Sequence, residues 1–161
     1  MNITPEKYVE RMLQISTKKY GLLREIQEIT RQQEEVITEE TTERLNEFLD
    51  EKQKRIEDID KLDEEFKVYY ERLKFEMKVK SLEELQAGSI KGVKELQHCI
   101  SGILHLVDEI SHLEKKNSEK ANKLLEDLSQ EIKKLNQGKK VNSLYSSTNP
   151  QPSAYFIDKK K

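Results

Sequence analysis

The segment LNEFLDEKQKRIEDIDKLDEEFKVYYERLKFEM, residues 45–77, decides the fold predicted for this chain. Its apolar side chains recur every three or four positions and form one stripe. The stripe consists of Leu45, Phe48, Leu49, Ile56, Ile59, Leu62, Phe66, Tyr69, Tyr70, Leu73 and Met77. A heptad stripe of this length indicates a long helix in coiled-coil-like, antiparallel packing. Lys52 interrupts the stripe, where a lysine either helps to set the helix register or extends its ammonium group to solvent.

A first helix is predicted upstream of this segment. Thr4, Pro5 and Glu6 form a helix start, because they combine a hydroxyl cap, a proline at the first helical position and an acid near the positive helix end. Apolar side chains then recur at helical spacing: Tyr8, Val9, Met12, Leu13, Leu22, Leu23, Ile26, Ile29, Val36 and Ile37. The polar run at 38–42 predicts a tight turn or a helix restart.

A third helix is predicted downstream. Ser-Leu-Glu-Glu at 81–84 is a capping-box sequence, which predicts a short helix or turn that reverses the chain. Two apolar stripes follow, separated by a polar break at 114–120: Val93, Leu96, Ile100, Ile103, Leu104, Val107 and Ile110, then Ala121, Leu124, Leu125, Leu128, Ile132 and Leu135. Gly138 predicts the helix end. Such a helix would be ~70 Å long, more than the other helices can cover, so we expect its last third to be exposed.

The composition favours an elongated all-α protein. The only prolines are Pro5, Pro150 and Pro152, so residues 6–149 lack the residue that breaks helix interiors. Charged residues make up 37% of the chain and hydrophobic residues 34%, which is typical of long amphipathic helices that bury one stripe. We therefore predict an elongated antiparallel helical bundle or coiled coil of about three long helices over residues 1–137, followed by a flexible tail over residues 138–161.

Charge is distributed unevenly along the chain. Residues 138–161 contain five lysines and one aspartate, a net charge of +4, which leaves −6 for residues 1–137 out of a total of −2. The overall balance argues against a nucleic-acid-binding protein. No apolar run approaches the roughly 18 residues that a membrane span needs, and the N-terminal residues lack a signal-peptide core. We expect a cytoplasmic protein that neither binds nucleic acid nor inserts into membranes.

Residues that could catalyse a reaction or bind metal are poorly placed for either role. Glu95/His98 and Glu109/His112 are Glu-x-x-His pairs, as in di-iron bundle sites. They lie 14 residues apart on one predicted helix, or ~21 Å, whereas a two-metal site needs them on facing helices. The three histidines fall at one outward heptad position, so we expect them to face solvent. Cys99 is the only cysteine and is expected to be a structural thiol. We predict no catalytic residue, no metal and no cofactor.

The second apolar stripe of the third helix is the first of two candidate binding surfaces. Leu124, Leu125, Leu128, Ile132 and Leu135 form an apolar ridge on a helix with little left to pack against. An exposed ridge of this kind suits the binding of a partner helix. The alternative interpretation is a homodimer seam.

The tail contains the second candidate surface. Residues 143–153 have loop composition, yet apolar side chains occur in the tail: Val141, Leu144, Tyr145, Tyr155, Phe156 and Ile157. Apolar residues isolated in a polar tail serve as anchors in a partner's pocket, or they pack back on the helical body. Both interpretations stay open.

The chain, taken as a whole, resembles the flagellar export chaperones of the FlgN family. The matching features are LNEFLDEKQKRIEDIDKLDEEF at 45–66, LEKKNSEKANKLLEDL at 113–128 and the ending GKK…FIDKKK of residues 138–161. The resemblance covers most of the chain. It implies a small cytoplasmic protein that holds hook–filament junction proteins before type III export. In such a protein the C-terminal region wraps helical termini of the client and delivers it to the export gate.

The resemblance also implies roles for the candidate residues. The ridge, Val141 and Leu144 would bind the client. Leu144-Tyr145 is similar to a Leu-Tyr pair in relatives whose tyrosine is implicated in contact with the export gate. Tyr145 is therefore expected to contact the gate or its ATPase complex, and the apolar run 155–157, Tyr-Phe-Ile, is a further candidate for such a contact.

Three alternatives compete with this function, the first of them within the same class of protein. A chaperone of the filament cap protein would use the same ridge for a different client. A structural homo-oligomeric coiled coil would bury the ridge in self-association, and an exposed ridge can also form a homodimer when no client is present. A helical-bundle metalloenzyme would contain bound metal.

Overall fold

The computed structural model describes residues 4–37, 42–85 and 90–142. They form three α-helices and one turn of 3-10 helix: α1 at Pro5–Glu35, α2 at Thr42–Met77, the 3-10 turn at Leu82–Glu84 and α3 at Val93–Asn142. No strand occurs in these three ranges. The predicted all-α fold with about three long helices is confirmed.

Contacts between the helices establish an up-down-up arrangement. An early residue of α1 meets a late residue of α2 in the ion pair of Arg11 with Glu65 at 2.5 Å. Val9 of α1 lies against Gly92, just before α3, so α1 and α3 run parallel. α1 packs along both other helices, whereas α2 and α3 approach each other much less closely over the described ranges. The bundle is therefore most open between α2 and α3.

α1 begins as predicted. Thr4 Oγ1 accepts a hydrogen bond from the Lys7 N–H at 3.4 Å, and Pro5 occupies the first helical position. These contacts satisfy a backbone donor that has no partner within the helix. At the other end of α1, residues 38–41 lie outside the described residues, so the turn or helix restart expected there stays a prediction.

Apolar side chains from all three helices form two buried clusters. The first contains Tyr8, Val9, Met12, Leu73, Leu82, Leu85, Ile90, Val93 and Leu96. The second lies further along α1 and contains Leu23, Ile26, Ile59, Ile103 and Leu106. Each large apolar side chain contributes about 1.5–3 kcal/mol when it is fully buried. These clusters are the main source of stability that the packing shows.

The predicted stripes of α2 and α3 are partly wrong. On α3, Val107 is 44% exposed and Leu104 is 65% exposed, whereas Leu106, which the stripe omitted, is only 3% exposed. On α2, Leu49 and Ile56 are 49% and 40% exposed. A straight helix has 3.6 residues per turn, so a strict seven-residue repeat drifts by ~20° per heptad. Over two heptads this drift is only about 40°, so it is the packing of Leu106 with Leu23 and Ile59 of the neighbouring helices that turns this side of α3 toward the core.

The capping box predicted at 81–84 does not form, although the short helix does. The Ser81 side chain makes no capping hydrogen bond. The Glu84 carboxylate instead accepts a hydrogen bond from the Lys80 N–H at 2.7 Å. The Leu82 N–H donates to the Tyr70 hydroxyl at 3.1 Å. A side chain of α2 thus satisfies a backbone donor in this turn.

α3 is longer than predicted and continues past Gly138 to Asn142. The prediction of a helix end at Gly138 is wrong, because one exposed glycine with open space around it costs a helix only about 1 kcal/mol. α3 also continues through the polar break at 114–120. Asn117 Nδ2 donates to the Thr30 carbonyl of α1 at 2.8 Å, so polar residues contact α1 there in place of apolar ones.

Lys52 is buried in a polar layer that joins all three helices. Its side chain is only 8% exposed. Its Nζ donates to Gln33 Oε1 of α1 at 2.6 Å and to the Glu114 carboxylate of α3. The Thr30 hydroxyl, which donates its hydrogen to the Ile26 carbonyl at 2.7 Å, lies 3.4 Å from Glu114 Oε1. The lysine therefore does not extend its ammonium group to solvent, and the contacts support a role in helix register.

Two substitutions separate the packing of the Lys52 stem from the contacts of its ammonium group. Lys52→Ala removes both and should lower the free energy of unfolding by about 2–3 kcal/mol. Lys52→Met keeps most of the volume and should lower it by less than about 1 kcal/mol. Urea unfolding followed by circular dichroism measures both values. Equal losses would contradict this division and assign the stability to the hydrogen bonds.

Gly92 is required by the backbone before α3. Its φ is +94°, and a Cβ atom there would lie 3.1 Å from Cγ1 of the fully buried Val9. Gly92→Ala should therefore lower the free energy of unfolding by about 1–3 kcal/mol. Gly21→Ala is the matched control, because Gly21 is helical and a Cβ atom there would meet nothing within 4 Å. This substitution should raise the free energy of unfolding by about 0.5–1 kcal/mol. Thermal unfolding shows the sign of each change, and a stabilising Gly92→Ala would refute the argument.

Candidate functional site

The C-terminal part of α3 extends beyond the end of α1. α1 ends at Glu35, and Lys120 Nζ still donates to the Glu34 carbonyl at 2.7 Å. α3 then continues to Asn142, and its residues 121–142 would span about 33 Å at ~1.5 Å per residue. We call these residues the arm. The arm has no α1 beside it.

The predicted ridge lies along the arm. Leu124, Leu125, Leu128 and Ile132 are half-buried, and Leu135 is 63% exposed. The other side of the arm is charged and exposed, with Lys123, Glu126, Asp127, Lys133 and Lys134, and the exposed Glu131 borders the ridge. An amphipathic helix that projects from a bundle can pair with another amphipathic helix. The ridge offers apolar contact to such a helix, and the charged side keeps the arm in contact with solvent.

The polar layer around Lys52 lies at the base of the arm. Glu114 and the buried Asn117 precede the arm by less than two helical turns, and both contact α1. Because Glu114 also forms an ion pair with Lys52, α2 is attached to α3 at the same height along the bundle. The base of the arm is thus attached to both neighbouring helices through polar contacts.

The predicted tail residues lie mostly outside the described residues. Val141 belongs to the last turn of α3, but its side chain is not described. The remaining predicted contacts are outside the described ranges: Leu144, Tyr145, Tyr155, Phe156 and Ile157. Their roles stay predictions.

The three histidines face solvent, as predicted. The side chains of His105 and His112 are 77% and 76% exposed, and His98 is also exposed. His105 Nε2 lies 3.1 Å from Glu109 Oε1, and His112 Nδ1 lies 2.8 Å from the Asp108 carbonyl. The rings of His105 and His112 therefore contact residues of their own helix.

Cys99 is a half-buried thiol between α3 and α1. Burial raises the pKa of the Cys99 thiol, and a hydrogen bond with Thr17 opposes part of this increase. A raised pKa leaves less thiolate at neutral pH, and the thiolate is the reactive form. The environment therefore suits a structural role and opposes that of a nucleophile.

A groove of 810 Å³, which the sequence pattern did not predict, lies between α2 and α3. Its floor includes Ser16 and Lys19 of α1, and Ser101 lies on the α3 side. Two serines at one level of the bundle leave space that larger side chains would fill. Small residues within the helices were therefore a signal in the sequence, but only the structure shows that they lie at the same level.

The reactivity of Cys99 provides a test of its environment. At pH 8 the folded protein should react with an aromatic disulfide reagent more slowly than a cysteine peptide, because burial raises the pKa of the thiol. The rate should keep rising at pH values where the peptide has levelled off. The denatured protein is the control and should react like the peptide. A folded protein with the same pH profile as the peptide would contradict the assignment.

Comparison with known proteins identifies one family. The profile of the FlgN family, described as FlgN protein, matches residues 1–151. Comparisons with curated proteins and with solved structures give no significant match. Among the helices of the described residues, none has the length and apolar character to cross a membrane.

Proposed function

Because the chain belongs to the FlgN family of flagellar export chaperones, we propose that it acts in the cytoplasm on hook–filament junction proteins. It binds them, keeps them soluble and delivers them to the type III export gate. The observation that carries the proposal is the arm, which presents an apolar ridge beyond the end of α1. The family consists of chaperones, and no catalytic role is proposed for any residue.

The ridge binds an amphipathic helix of the client. From Leu124 to Leu135 it covers 12 residues of α3, or about 17 Å, which matches three turns of a partner helix. Leu135 gains most from being covered, since it is 63% exposed, and the half-buried Leu128 and Ile132 lie between the two ends. Contact along one face of each helix excludes water from both apolar stripes.

The tail extends the binding surface and carries the contacts with the export apparatus. Val141 and Leu144 continue the client-binding surface beyond the ridge. Tyr145 contacts the export gate or its ATPase complex, and residues 155–157 supply further apolar anchors for that contact. Segments that become ordered on binding lose part of their interaction energy to ordering, which favours reversible capture. The resulting lower affinity is useful to a chaperone that must release its client.

The ridge can be tested with a pair of matched double variants. Leu128→Asp with Ile132→Asp places two carboxylates on the ridge and should abolish the complex with the junction protein, because burying unpaired charges is costly. Ser118→Asp with Asn122→Asp has the same spacing and adds the same charge at exposed positions of α3, and it should bind normally. Light scattering on a sizing column detects the complex, and circular dichroism checks that helicity is intact.

Two results would contradict the proposal. Unchanged binding by the ridge variant would remove the ridge from the client site. A stable homo-oligomer that ignores the junction protein would make the protein a structural coiled coil. Binding to the filament cap protein in place of the junction protein would keep the chaperone mechanism and change the client.

A further inference from the structure

The groove between α2 and α3 is an apolar surface that the ridge does not include. Phe66 and Tyr70 of α2 form one wall, Ile100 and Leu104 of α3 form the other, and Ile15 of α1 contributes to the floor. The groove is present because α1 packs along both helices while α2 and α3 remain apart in the described part of the chain. A fourth helix would complete the packing on this side.

Four of the polar side chains that line the groove have partners within the chain. Lys19 Nζ lies 2.7 Å from Asp63 Oδ1, and the Tyr70 hydroxyl accepts a hydrogen bond from the Leu82 N–H at 3.1 Å. Gln97 Nε2 donates to the Leu82 carbonyl at 3.3 Å. The unused capacity of the groove is therefore apolar contact. This chemistry suits leucine-like or aromatic side chains and does not suit a charged ligand.

The groove is continuous with an exposed apolar strip on α3. Leu104, at its edge, is 65% exposed, and Val107 one turn further is 44% exposed. Val107 precedes Leu125 of the ridge by 18 residues, which are five full turns, so both lie on the same side of α3. Leu104 and Leu128 are 24 residues apart, or about 36 Å along the helix axis. α3 thus carries two separate apolar sites: their edges at Val107 and Leu125 lie on the same side of the helix, whereas Leu104 and Leu128 point about 120° apart around it.

The tail of the same chain does not reach the groove. Ile100, in the middle of the groove, and Asn142 lie 42 residues apart along α3, which corresponds to about 63 Å. Ile157 is 15 residues beyond Asn142, so a fully extended tail brings it back by at most about 54 Å. The apolar run at 155–157 therefore stops short of the groove in its own chain.

The groove is also too short to hold a second copy by itself. It covers eight residues of α2, Asp63–Tyr70, and eight of α3, Gln97–Leu104, or two turns of about 10 Å in total. A stable homodimer buries about 800 Å² on each partner, which two helical turns do not supply. A short contact gains importance when the same partner is already bound elsewhere, because the second contact then forms at high effective concentration.

We infer that the groove binds a second amphipathic helix of the client that occupies the ridge. This inference rests on the proposed function and adds a second site to it. The helix inserts two or three apolar side chains, spaced by three or four residues, between α2 and α3. The client segment that joins the two sites must span about 36 Å, which requires at least about 10 extended residues. A client with one binding helix would use the ridge alone.

Substitutions at exposed groove positions test the inference without disturbing the buried clusters. Leu104→Glu removes the apolar edge, and Ser101→Arg fills the groove from an exposed position of α3. Each should weaken binding of the purified junction protein roughly tenfold by titration calorimetry. Val68→Glu is the matched control, because Val68 is 49% exposed on α2 outside the groove, and it should bind like the unmodified chain. Equal affinity for the two groove variants and the control would overturn the inference.

A cross-linking experiment identifies the occupant directly. Benzoylphenylalanine replaces Leu104 in the full chain, and the protein is irradiated with and without the purified junction protein. An adduct with the mass of one copy of each protein supports the inference. An adduct of two copies of this chain, a link within one chain, or no adduct overturns it. This cross-linking experiment does not use the two groove variants, so it still tests the inference if one of them fails to fold.

The ridge variant separates failure of the inference from failure of the proposed function. If Leu128→Asp with Ile132→Asp abolishes the complex and Leu104→Glu leaves its affinity unchanged, only the second site is wrong. If the ridge variant also binds normally, the proposed client site fails, and the groove inference fails with it. Loss of binding at both sites supports a client held at two points.

Discussion

Lys52 of α2 donates hydrogen bonds to Gln33 of α1 and Glu114 of α3, and this buried contact joins the three helices where α1 ends. A lysine in an otherwise apolar seam restricts how the helices can slide. A shift by one turn would separate the ammonium group from its partners, and a buried unpaired charge costs several kcal/mol. The contact therefore sets the level at which α3 leaves α1, and with it the length of the arm.

Both candidate binding surfaces result from incomplete packing. α1 has 31 residues and α3 has 50, so α3 continues where α1 has ended. α1 also packs along α2 and α3 while these two remain apart, which leaves the groove. The ridge and the groove thus have a common physical cause. The three helices carry more apolar surface than they can bury against one another. A client helix supplies what is missing.

The confirmed predictions concern interactions between residues close in the sequence. The errors arise where a group chooses between several possible hydrogen-bond or packing partners. The cap of Thr4 was predictable, because its donor lies three residues away. The capping box at 81–84 was not, because Glu84 bonds to Lys80 and the Tyr70 hydroxyl from α2 takes the Leu82 N–H. The role of Lys52 was open in the sequence, since its two partners lie 19 and 62 positions away. The ridge and the exposure of the last third of α3 were predictable from pattern and length, but the level of α3 at which α1 ends, near Lys120, was not.

The sequence by itself determined the helical content, the start of α1 and the amphipathic character of the arm. Helical hydrogen bonds and caps join residues at most four positions apart, so composition and spacing are sufficient for these features. Only the tertiary structure decided that Leu106 and not Val107 faces the core, that Lys52 is buried, and that α2 and α3 leave a groove between them. These features depend on how three helices share a limited apolar surface, and that depends on contacts between residues far apart in the chain.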